Sequence, residues 1–142
     1  MSKQIVLDAS LAASWCIQDE QAEVTDEILD RFTGDFSALV PSLWLWEVNN
    51  ILLIAERRRR LTFATRKQQI AILRKLPIEI DEDAAEHVWS ETNALARTYA
   101  LTVYDAAYLE LALRHGIPLG SLDNDLRVAA GKASIKCLPE KR

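Results

Sequence analysis

Short apolar runs rich in β-branched residues alternate along this chain with segments long enough to be helices. "KQIVLD" reads as a buried strand ending at Asp8, and "FSALVP", "PIEID", "PLGSLD" and "SIKCLP" are four further strands. Between them lie helical stretches. "LAASWCIQ" is capped by Ser10, Thr25 to Phe32 is stopped by Gly34, and "LWLWEVNNILLIAERRRR" starts after Ser42. A helix from Thr62 or Thr65 ends before Pro77, and another, capped by Asp81 or Asp83, runs to about Tyr99. The helix containing "VYDAAYLELA" stops at Gly116, and "NDLRVAAG" is a short last one. Strands separated by helices of this length pair in parallel, in a sheet covered on both faces. The expected class is therefore α/β, with functional groups collected beyond the carboxyl ends of the strands.

At 142 residues the chain is expected to be one domain, residues 1–142. Only four Gly and four Pro leave little room for flexible linkers or a glycine-rich phosphate loop. A net charge of −4 argues against nucleic-acid binding through overall charge, although a local basic strip can still hold phosphates. Cys16 and Cys137 have no zinc-type spacing and read as two small buried thiols in a reducing cytosol. The longest apolar stretch, Leu43 to Ala55, is too short for a bilayer and is interrupted by Glu47, Asn49 and Asn50. With no signal peptide at the N-terminus, the expected location is cytoplasmic, away from membranes.

Four acids are out of place. Asp8 and Asp123 stand at strand ends, Asp105 adjoins Ala106, Ala107, Leu109, Leu111 and Ala112, and Glu47 interrupts an apolar helix. Leu43, Ile51 and Ile54 share the Glu47 side of that helix, and Asn50 lies on the same face. Each acid has an ordinary explanation as well. Asp8 could cap the first helix, Asp105 could sit favourably in a helix first turn, and Asp123 could belong to a turn, with Asp125 as its rival. If the four converge, two carboxylates about 4 Å apart repel by roughly 4 kcal/mol at an effective dielectric of 20. A hard divalent cation with oxygen ligands, Mg²⁺ or Mn²⁺, resolves that repulsion. His87 and His115 are unclustered, so nothing suits a softer metal.

In "IVLDAS", "PSLWLWEVNNIL" and "TVYDAAYLELALRHGIPLGSLDNDL", in this order and spacing, the chain resembles the PIN domain family. More narrowly it resembles the VapC-type toxin ribonucleases of type II toxin–antitoxin pairs. The resemblance implies a three-layer α/β/α fold and an endoribonuclease that hydrolyses RNA phosphodiester bonds with Mg²⁺ or Mn²⁺. The family's acidic pocket falls on Asp8, Glu47, Asp105 and Asp123, as catalytic and metal-binding residues. Its hydroxyl and amide residues fall on Ser10, Ser121 and Asn50, which would fix carboxylate rotamers. Asp125 matches a variable position. The implied partners are RNA, a VapB-type antitoxin and a second copy of the chain.

Arg57, Arg58, Arg59 and Arg60 form the only concentrated basic run. They either are solvated at a helix end, complementing its dipole, or contact RNA phosphates or acidic antitoxin residues; Arg97 is a further candidate. Trp15, Trp44, Trp46 and Trp89 are expected in the core, although Trp44 and Trp46 with Leu43 and Leu45 make one helix start apolar on every side. Other phosphoryl-transfer enzymes remain as rivals. A haloacid-dehalogenase-type phosphatase needs a second aspartate where Ser10 stands, and a receiver domain needs a phosphoacceptor after a central strand. A non-catalytic RNA-binding or interaction module is the third reading.

Overall fold

The Ile-Val-Leu run at the start of the chain is buried on both faces, as the middle strand of a sheet must be. It belongs to β1 (Lys3–Leu7) in the computed structural model of the chain, which describes residues 3–20 and 22–140. On one side β1 pairs with β2 (Phe36–Pro41), and β2 pairs with β3 (Ile78–Asp81). On the other side β1 pairs with β4 (Leu119–Gly120), and β4 with β5 (Cys137–Leu138). The strand order is β3-β2-β1-β4-β5 and every pairing is parallel. Ile5 lies opposite Ala38 and Val6 opposite Leu119. Helices flank the sheet in a three-layer α/β/α fold. The chain order reverses between β1 and β4, where such sheets open a crevice at their carboxyl edge.

Helices α1 (Ala9–Ser14) and α2 (Glu23–Arg31) follow β1, and α3 (Leu43–Arg57) and α4 (Phe63–Leu73) follow β2. Helix α3 buries Trp44, Val48, Leu52 and Ala55, one stripe at helical spacing. The adjacent face, with Leu43, Glu47, Ile51 and Ile54, is half-buried. Helix α4 starts as expected after Thr62, whose hydroxyl accepts from Thr65 N–H. After β3 come α5 (Asn93–Tyr99), α6 (Val103–His115) and α7 (Asn124–Lys132). Helix α6 is capped by Thr102, ends at Gly116 with φ +63°, and packs over β1, β2 and β4.

Several sequence expectations are corrected. Ser10 does not cap α1: Asp8 does, accepting from Leu11 N–H at 2.9 Å. Ser42 precedes α3 without a side-chain capping bond, and α2 begins at Glu23 rather than Thr25. The helix expected from Asp81 or Asp83 to Tyr99 is broken into a 3₁₀ turn (Ala84–His87), a π turn (Val88–Thr92) and α5. Only Thr92 is fully buried across these pieces, with Leu95 and Tyr99 half-buried against the core. "PLGSLD" yields only two ladder residues. Gly120 lies so close to α1 that a Cβ there would stand 2.8 Å from Leu11 Cδ2. Trp15 and Trp44 are in the core, but Trp46 is 68% and Trp89 88% exposed. Cys16 is buried, Cys137 half-buried, and both are free.

Candidate active site

Asp8 follows β1 and caps α1, which turns its carboxylate back toward the reversal point of the sheet. It is 4% exposed and accepts from three donors. Leu11 N–H and the Ser10 hydroxyl reach Oδ1 at 2.9 and 2.7 Å, and the Ser10 and Ser121 hydroxyls reach Oδ2 at 2.9 and 2.5 Å. Both serines also accept. Ser10 Oγ receives Leu122 N–H and Ser121 Oγ receives Asp123 N–H, each at 3.0 Å. Two hydroxyls thus tie the end of β1 to the loop after β4. Burial nevertheless pushes the Asp8 pKa up to about 6, against those hydrogen bonds and with help from the Asp123 charge.

Asp123 caps α7, accepting from Leu126 N–H at 2.9 Å. The capping reading of Asp8 therefore holds, Asp123 is a helix cap rather than a plain turn residue, and the Asp123 charge still acts on both Asp8 and Asp105. Asp105 lies in the first turn of α6 and its N–H is taken by the Thr102 hydroxyl at 3.1 Å. Burial first, then the charges of Asp123, Glu47 and Asp125, raise its pKa to about 6. Glu47 reaches in from α3, where the Tyr108 hydroxyl donates to its Oε1 at 2.6 Å. Tyr108 was not anticipated from sequence. Its position three residues after Asp105, on the same face of α6, was the available signal.

Among the described residues none of these four acids forms an ion pair with Lys, Arg or His. Nor, among the described residues, do any three Asp, Glu, His or Cys side chains stand close enough together to hold a metal ion directly. The donor set still fits a hard divalent cation. It is all oxygen, two of its carboxyls are pushed toward neutrality, and Asp105 feels three other acids.

A cleft of about 770 Å³ opens beside Glu47, lined among others by Leu45, Trp46, Asn50, Arg66 and Tyr104. Of the four acids only Glu47 lines it. Asn50 and Asp125 are exposed. Arg57, Arg58, Arg59 and Arg97 are exposed as well, but Arg60 is engaged. Its guanidinium binds Asp19 at 3.1 and 2.8 Å and Glu20 at 2.8 Å, clasping the end of α3 to the turn before α2.

The sequence matches the PIN domain family over residues 5–132. The chain belongs to the PIN domain family. PIN domains are typically metal-dependent nucleases, which usually use divalent ions such as Mg²⁺. This PIN domain shares its fold with PAE2754 from Pyrobaculum aerophilum, known from a crystal structure. The TM-score is 0.66 at 22% identity, over 91% of this chain and 87% of that one. No curated protein matches the sequence. Among the described residues of this PIN domain no helix is long and apolar enough to cross a membrane.

Proposed function

We propose that this PIN domain, one domain across residues 1–142, is a Mg²⁺- or Mn²⁺-dependent endoribonuclease. In this reading it is the VapC-type toxin of a type II toxin–antitoxin pair. Asp8, Asp105 and Asp123 hold the cation, and Glu47 either holds a second one or orients the attacking water. The bound ion supplies Lewis acidity toward a water and a phosphate oxygen. Ser10 and Ser121 keep the Asp8 carboxylate in place, while Asn50 and Asp125 act from the rim. The observation that carries this reading is the electrostatic setting of Asp105: three acids from two other segments, Glu47 of α3 and Asp123 and Asp125 at the start of α7, act on it. The partners in this reading are RNA, a VapB-type antitoxin and a second copy of the chain, in the cytoplasm. Exposed Trp46 suits a dimer or antitoxin contact, and Arg57, Arg58, Arg59 and Arg97 suit phosphates or acidic side chains.

The test is cleavage of structured RNAs with and without Mg²⁺, comparing wild type with Asp8→Asn and Asp105→Asn. Both substitutions are expected to abolish cutting while the fold survives. Equal cutting in a chelator, or full activity in both variants, rejects the reading. Growth arrest on expression, relieved by the co-expressed neighbouring antitoxin gene, tests the toxin role separately.

A further inference from the structure

Tyr108 is 1% exposed, so its hydroxyl has to find a partner inside the protein. A backbone carbonyl would satisfy that need. The partner is instead the carboxylate of Glu47, 61 residues away in sequence and on a different helix, at 2.6 Å. A phenol O–H facing a carboxylate at this distance is a charge-assisted bond, about twice as strong as a neutral one. It engages Oε1, and no other hydrogen bond to Glu47 is present among the described residues. The rest of the carboxylate is left for another ligand. The same phenol lies within electrostatic reach of Asp8 and Asp105. Two elements that never pair in the sheet, α3 and α6, are thereby locked together at the acids.

We propose that Tyr108 is a positioning residue for the metal: its hydroxyl fixes the Glu47 carboxylate in a single rotamer. The proposal rests on the metal-nuclease reading given above. Glu47 ends a flexible side chain on a half-buried helix face, with several rotamers open to it. Holding one of them removes an ordering cost from cation binding, as partners behind metal ligands commonly do.

The test is Mn²⁺ affinity by isothermal titration of the full chain. Wild type, Tyr108→Phe, Glu47→Gln and the double variant are compared well below the melting temperature of each. Tyr108→Phe is expected to weaken Mn²⁺ binding about tenfold. The double variant is expected to bind no more weakly than Glu47→Gln alone, since the hydroxyl acts only through that carboxylate. Wild-type affinity in Tyr108→Phe, or losses that add in the double variant, overturns the proposal. A wild type that binds no Mn²⁺ instead removes the metal reading beneath it. A second readout needs no change at Tyr108. Ultraviolet resonance Raman of the tyrosine band is expected to shift when Mg²⁺ is added to wild type and to stay fixed in Glu47→Gln; an unshifted wild type also overturns the proposal.

Discussion

Ser121 donates its hydroxyl to Asp8 Oδ2 across 113 residues of sequence, joining the loop after β4 to the end of β1. Ser121 is fully buried, and its oxygen also accepts Asp123 N–H. One small side chain therefore sets the spacing of two of the four acids.

Ser121→Ala strips a donor from a buried carboxylate and leaves Asp123 N–H without its partner. A loss of about 2 kcal/mol in unfolding free energy at pH 7 is expected, measured by urea titration. Ser121→Thr, which keeps the hydroxyl, is expected to recover most of it.

Asp8 gives a pH signature. Its folded pKa of about 6 lies above the ordinary 3.8, so between these values the folded protein keeps a proton that the unfolded chain has released. Its contribution is fully present below about pH 4 and is lost as pH rises through 6. Asp8→Asn, which still caps α1, is expected to match wild type near pH 4 and to exceed it by about 3 kcal/mol at pH 7. If the acids hold Mg²⁺ as proposed, adding it closes that gap by stabilising wild type alone. Parallel stability profiles for the two proteins would show that the carboxylate is not strained.

Arg114 supports a second, purely structural cluster. It binds Glu110 at 2.8 Å and Asp81 at 2.6 Å, and both acids are buried. Burial alone would raise the Asp81 pKa, but the hydrogen bonds and charge of Arg114 outweigh it and hold it below the usual range. Arg114→Met leaves buried Glu110 without its partner and Asp81 with only the longer His115 contact at 3.8 Å, and is expected to cost about 3 kcal/mol at neutral pH. The deficit should shrink in acid, as Asp81 takes up a proton in the variant, and chemical denaturation at two pH values reads this directly.

Gly120→Ala places a methyl 2.8 Å from Leu11 Cδ2, in a layer with no space to give. Overpacking there is expected to cost about 1–3 kcal/mol. Leu11→Ala in the same chain should recover part of that loss, since it removes the clashing carbon. Thermal melts of the single and double variants decide the point.

Much of this architecture is written locally. A strand buried on both faces needs a continuous apolar run, and "KQIVLD" and "FSALVP" have one. Gly116 announces the end of α6 because capping needs only neighbours in sequence. The four displaced acids are visible for the same reason, since each breaks an apolar pattern. Local rules also misled. Ser10 and Asp8 are both good caps by residue type, and only the path of the chain out of β1 chose Asp8. Trp46 and Trp89 are apolar by type, yet the sheet leaves them outside. The contacts that assemble the site, Tyr108 to Glu47 and Ser121 to Asp8, span 61 and 113 residues. Periodicity and capping carry no information over such distances. By itself the sequence determined where elements begin and end and which charges are anomalous. The order of strands β3-β2-β1-β4-β5 decided which of those charges meet, because a carboxylate's neighbours depend on which strand ends lie side by side.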